Sequence, residues 1–242
     1  MPATIARQVI IKADDFPPRD WNAGFNGWRA FLQLIESRGL CASVGIVGQA
    51  LEKAEEAWVV ETRALAGRGR IEFWNHGYSH AIDRDDGRGG RYWEFQGPPL
   101  EIQRRHLEQT QQLAKERLGL TLAAFGAPGN HIDEKTVTAL ESFPEIKIWF
   151  FGKPIASRLN LGWDMYVDIE VPTGRPDFEA FRERLARAPR SIVVQVHPAA
   201  WTPSGLDQAR LAIDHLVAEG AEFLTPTGYY LRHEEAARQG AT

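Results

Sequence analysis

The sequence predicts an α/β fold, a distorted TIM-like (β/α) barrel with about seven parallel strands, and three observations predict it. Short β-rich runs alternate with longer amphipathic stretches, the strand coming first in each unit, which is the order that builds a parallel sheet wrapped by helices. Roughly seven or eight such units fit into the 242 residues, a length near the ~250 residues of such barrels. Titratable residues gather just after the strands, at the end where barrels and open α/β sheets bind ligands. A flat doubly wound sheet meets the same description and is the alternative architecture.

Residues 9–13 form an apolar strand that ends in two aspartates. Residues 28–37 then place Phe31, Leu32, Leu34 and Ile35 on one helical face, stopped by Gly39. Residues 42–47 are the second strand, 52–66 a helix and 70–74 a third strand. Residues 100–118 read as one long helix marked by Ile102, Leu107, Leu113 and Leu118, with Gly119 ending it. Further strands are predicted at 121–125, 147–151, 166–170, 191–196 and 222–224, and helices near 134–141, 178–187 and 206–219. No Pro-, Ser- or Gly-rich stretch divides the chain; the Gly-rich piece at 87–90 is a loop's length, so residues 1–242 are expected to form one domain.

Acidic side chains number 32 and basic ones 28, a net charge of -4 that provides no basic field for a phosphate backbone and argues against nucleic acid as a partner. Cys41 is the single cysteine and has no partner for an intramolecular disulfide; its apolar neighbours suit a buried small side chain. Residues 1–7 lack the apolar core of a signal peptide, and no run reaches the ~18 apolar residues of a membrane span, so the expected compartment is the cytoplasm.

After the first strand stand Asp14 and Asp15, after the third Asn75-His76-Gly77-Tyr78-Ser79-His80, after the fourth Gly126-Ala127-Pro128-Gly129-Asn130-His131, and after the seventh His197-Pro198. Turn-forming aspartates are common at strand ends, and two unrelated histidines can fall four apart. Gathered at one end of a barrel, however, His76 and His80 on one face of a helical turn, with a strand-end carboxylate, make a three-ligand metal set that leaves positions open for water and substrate. Zinc suits such a set best, while iron, cobalt, nickel and manganese are also admitted.

The segment from Lys12 to Phe16, the run from His76 to His80, the stretch from Phe125 to Gly129 and Val194-Gln195-Val196-His197 resemble, in order, the successive motifs of the polysaccharide deacetylase (NodB-homology) family of carbohydrate esterases. The resemblance spans about residues 9–230. It implies Asp14 as general base, Asp15, His76 and His80 as ligands of one divalent metal, and His197 as the general acid that protonates the leaving amine. Glu72, Asn75 and the closing Phe223-Leu224-Thr225-Pro226 fit the same pattern. Two departures stand out. Gly126 occupies the place of the arginine that restrains the base, and residues 147–151 lack the acidic residue that backs the acid histidine, for which Asp164 or Asp168 could substitute.

The implied activity is removal of an N-acetyl (acyl) group from an amino sugar or sugar precursor by metal-activated water. The alternatives are a related C–N or O-acyl hydrolase on a non-polymeric substrate, and a metal-retaining but catalytically silent glycan-binding barrel. Candidate substrate contacts are Pro128, Gly129 and Asn130, with Trp93 in the polar loop 81–99 and Trp201; Trp163 is weighed equally between sugar stacking and packing. His131, His106, His215 and His233 are read as surface or packing residues, and the four arginines in residues 182–190 as a solvated helix face.

Overall fold

The first strand, β1 (Gln8–Phe16), organises the sheet. Its side chains alternate as a strand requires: Val9, Ile11 and Ala13 join the apolar cluster formed with the helices, whereas Ile10 meets Trp74, Phe150 and Val193 in the barrel interior. The computed structural model describes residues 6–17, 25–87 and 89–240. The expectation about a leader therefore falls mostly outside the described residues, as does Arg88 of the Gly-rich loop.

The other strands of the sheet are β2 (Ala42–Ile46), β3 (Ile71–Asn75), β6 (Ala124–Gly126), β7 (Ile148–Phe150), β8 (Leu159–Leu161), β9 (Ser191–Val196) and β10 (Glu222–Phe223). Seven follow one another in the order β10-β1-β2-β3-β6-β7-β8, β9 lies along β1, and every pairing is parallel. Beyond β8 the chain returns through Tyr166, which bridges Val193 of β9 and nearly closes the ring. The result is the distorted TIM-like barrel, not the flat sheet. A two-stranded antiparallel hairpin, β4 (Arg84–Asp85) with β5 (Arg91–Tyr92), stands apart from it.

Around the sheet run α1 (Gly27–Ser37), α2 (Gly48–Lys53), α3 (Glu56–Gly67), α4 (Leu100–Leu113), α5 (Glu134–Glu141), α6 (Phe178–Leu185), α7 (Pro203–Ala218) and α8 (Pro226–Gly240). Asn26, Asp133, Asp177 and Thr202 cap α1, α5, α6 and α7 with side-chain oxygens on free backbone N–H groups. Among the described residues no helix is long and apolar enough to cross a membrane.

Three local expectations change. The helix expected over 52–66 is two, because Ala54 is extended and separates α2 from α3. The helix expected over 100–118 is α-helical only to Leu113 and ends in a π-turn, Ala114–Leu118, before Gly119 at φ 70°. Residues 166–170 alternate like a strand but carry only isolated bridges, since the Asp168 carboxylate takes the Glu170 N–H that a ladder would use. The sheet position goes instead to β8, and α8 was not anticipated.

Candidate active site

In a regular strand Asp14 and Asp15 would point to opposite faces. Here the register with β2 shifts between Ala13 and Phe16, and Asp15 adopts φ 68°, the left-handed region that a non-glycine residue enters at a cost. Both carboxylates consequently face one cavity at the carboxyl end of the barrel. His80 (φ 52°) and Asn130 (φ 59°), which line the same cavity, are also left-handed. Such clustering marks a site whose geometry is imposed by its surroundings.

His76 and His80 meet without the helical turn expected from their spacing: residues 77–80 form a bent loop. What replaces the helix is Glu94, a buried carboxylate that accepts from the backbone N–H of Tyr78 (2.5 Å), Ser79 (3.1 Å) and His80 (2.6 Å) and from His106 Nδ1 (2.9 Å). Gly77 passes so close that a Cβ there would lie 2.8 Å from both Glu94 oxygens. Burial raises the Glu94 carboxyl, but His106 and the N–H groups outweigh it and hold it below the ordinary range.

Asp15, His76 and His80 each offer a ligand atom within 4.8 Å of the others. His76 Nδ1 must donate to the Gly126 carbonyl at 2.7 Å, so in the neutral ring Nε2 carries the lone pair, and it faces Asp15 Oδ1 at 3.1 Å. His80 Nε2 meets the same oxygen at 2.5 Å. In that tautomer the His76 lone pair is turned on a carboxylate, an arrangement that a bound cation would relieve, and the Gly126 carbonyl fixes the tautomer as outer partners do for metal-bound imidazoles. The donor set therefore fits a divalent metal, and one carboxylate with two imidazoles suits zinc or a neighbouring transition metal. Burial raises the Asp15 carboxyl, yet the two imidazoles dominate and hold it far below its usual range; burial lowers His80, and Asp15 reverses that to a net rise.

His197 follows β9 on the opposite wall. Its Nδ1 donates to Glu170 Oε2 at 2.8 Å, and its Nε2 lies 3.8 Å from Asp14 Oδ2. Burial lowers the imidazole, but Glu170 and Asp14 turn the shift upward. Glu170 is buried and fully engaged, accepting also from His197 N, Trp201 Nε1 and Gly174 N, each at 2.7 Å. The acid behind His197 is thus neither Asp164 nor Asp168 but Glu170.

Asp14 is also buried and is held by Lys12 Nζ (2.7 and 2.5 Å) and Gln195 Nε2 (2.7 Å). Asn130 joins them, donating to Gln195 Oε1 at 3.1 Å and facing Lys12 at 3.4 Å. Burial drives the Lys12 ammonium downward while Asp14 opposes it. Period two could have found these partners: Ile10, Lys12 and Asp14 share one face of β1, as Val193, Gln195 and His197 share one line along β9. Glu170 and Glu94 had no such signal, because they lie in irregular segments.

The cavity of about 300 Å³ that holds Asp14, Asp15, His76, His80 and His197 is lined also by Gly129, Asn130, Ile82, Trp163, Tyr166 and Gln195. A larger one, about 620 Å³ around Tyr92, Pro98 and His106, lies behind the Glu94 loop and contains none of these five groups, so the chemistry belongs to the smaller. Three proposed substrate contacts lie elsewhere. Pro128 is buried; Trp93 stacks on His131 at 4.4 Å; Trp201 is buried edge-on against Phe31, spent on holding Glu170. Trp163 does stand open at the cavity, 52% exposed and stacked on Phe151.

No protein-family model matches the chain, and no curated protein matches its sequence. Its fold is that of solved structures in the CE4 family, at low sequence identity. A CE4 family pseudoenzyme from Bacillus anthracis is 15% identical with TM-score 0.59 over 92% of this chain; the chain spans 65% of that protein's length. A family 4 acetyl xylan esterase from Clostridium thermocellum in complex with a cobalt ion is 16% identical with TM-score 0.61, covering 91% of this chain and 89% of its own. The peptidoglycan deacetylase PdaC from Bacillus subtilis is 14% identical with TM-score 0.61, and the two chains cover 98% of each other.

Proposed function

We propose that the protein is a metal-dependent deacetylase that hydrolyses the acylamide of an N-acetylated amino sugar or sugar precursor. One observation supports the reading: Asp14 Oδ2 lies 3.9 Å from His76 Nε2 and 3.8 Å from His197 Nε2, a carboxylate within reach of both imidazoles. Asp15, His76 and His80 would hold the cation, which when bound polarises the acyl carbonyl and eases deprotonation of water. Asp14 accepts the proton of the attacking water. As the new C–O bond forms and the C–N bond breaks, His197, kept protonated by Glu170, gives its Nε2 proton to the departing amine. Lys12 and Gln195 keep Asp14 aimed, and Trp163 offers a rigid aromatic face for a sugar ring.

The test is acetate release by protein loaded with zinc or cobalt, from acetamido sugars, nucleotide sugars and chito-oligosaccharides. Turnover of one class names the substrate; none from any class removes the N-deacetylase reading. Likeness to an acetyl xylan esterase supports an O-acyl hydrolase as second reading, for which acetylated xylo-oligosaccharides belong in the same panel. A silent glycan-binding barrel, the reading that the pseudoenzyme likeness raises, requires sugar binding without turnover at metal saturation.

A further inference from the structure

We propose that Lys12 is the positioning residue of Asp14, and that Gly126 is required because a side chain there would press on the Trp74 ring and the lysine stem packed beside it. The inference rests on the reading of Asp14 as proton acceptor. In the family this chain resembles, an arginine at the place of Gly126 restrains the base; here the cation comes from β1 instead. Lys12 is 0% exposed, one strand repeat below Asp14 on the inner face. Its three ammonium protons have three oxygen partners, both oxygens of Asp14 and Oδ1 of Asn130. Trp74, Phe150 and Phe151 surround it, with ring centres at 4.9, 5.7 and 5.4 Å. No donor remains for a substrate, so Lys12 acts through the carboxylate it holds.

Gly126 completes the argument. A Cβ there would lie 2.8 Å from the Trp74 ring and 3.2 Å from Lys12 Cε, and real Cβ contacts are almost never so close to a packed ring. A side chain at position 126 therefore meets the Trp74 ring first and presses, more mildly, on the lysine stem that packs beside that ring. Lys12 and Asp14 set one buried cation against one buried carboxylate, the condition under which such a pair is tolerated in an interior.

The experiment is a cycle of Lys12→Met, Gly126→Ala and the double variant, with kcat, KM and bound metal measured on whichever acetylated sugar the wild type hydrolyses. Lys12→Met is expected to keep its metal and lower kcat roughly 100-fold, within the range for disabling a general base, with KM little changed. Gly126→Ala is expected to lower kcat in the wild-type background and to add almost nothing to Lys12→Met, because both disturb the same carboxylate. Multiplying effects, metal loss in Lys12→Met, or unchanged kcat would each overturn the proposal. If the wild type hydrolyses nothing, the functional reading fails, and the pairing is read from urea unfolding instead. Lys12→Met should then lower the midpoint or prevent folding, and Lys12→Met/Asp14→Asn, which buries no charge, should recover it. Absence of that recovery sinks the pairing itself.

Discussion

Glu170 and His197 face each other across the cavity wall, with Nδ1 of the imidazole donating to Oε2 of the carboxylate at 2.8 Å. The pair fixes which nitrogen of His197 looks into the cavity and opposes the effect of burial on its charge. The first prediction follows from its sign. Glu170→Gln keeps the shape and removes the charge, so the His197 pKa falls and the alkaline limb of kcat/KM moves to lower pH, while metal content stays constant. A group with a raised folded pKa contributes stability that is fully present below its unfolded pKa of about 6.5 and is lost as pH rises through the folded value. The variant's stability deficit is therefore larger at pH 6 than at pH 9. An unmoved alkaline limb would remove His197 as the acid.

The two neighbouring aspartates should separate cleanly. Asp15→Ala removes one of the three proposed ligands and should lose metal, whereas Asp14→Asn should keep metal and lose ~10²- to 10⁴-fold in turnover. Elemental analysis beside acetate release reads both. Chelation of the wild type should abolish activity, and added zinc or cobalt should restore it. Unchanged metal content in Asp15→Ala, His76→Ala and His80→Ala would leave only the fold.

Glu94 should prove as necessary to the metal as a ligand is. Glu94→Ala leaves the N–H groups of Tyr78, Ser79 and His80 without their acceptor and His106 without its partner. Leaving a buried donor without its acceptor costs about 1–3 kcal/mol, and loss of outer support typically costs ~10- to 100-fold in metal affinity. Because the Glu94 carboxyl is depressed, its contribution is present above its unfolded pKa near 4.5 and is lost as pH falls through the folded value. Gly77→Ala, which drives a methyl group into the same carboxylate, should reproduce the metal defect. Titration with zinc checks both variants, and wild-type affinity in either would dismiss the loop-holding role.

Trp163, stacked on Phe151 and set edge-on to Tyr166, is held rigidly at the mouth of the cavity. Trp163→Ala is expected to raise KM for an oligosaccharide about tenfold, or ~1.4 kcal/mol, with kcat nearly unchanged. A fall in kcat at constant KM would place the ring in the chemistry instead.

The sequence by itself determined the barrel and the strand-end residues, because both are written in short-range pattern. Apolar runs of strand length, helical faces such as Phe31-Leu32-Leu34-Ile35, and stops such as Gly39 and Gly119 depend on neighbours within a few positions. Asp14, Asp15, His76, His80 and His197 stand out for the same reason, each closing a recognisable strand. Only the tertiary structure decided how these groups are held. It set Glu94, and no helix, as the former of the His76–His80 loop, Glu170 in place of Asp164 or Asp168 behind His197, and Lys12 beside the space left by Gly126. It also withdrew Trp201 into the core and Trp93 onto His131. The physical reason is that a buried charge must find its counter-charge wherever the chain brings one. The partner of Glu94, His106, is on α4, and that of Glu170 lies 27 residues away, distances that no periodicity encodes.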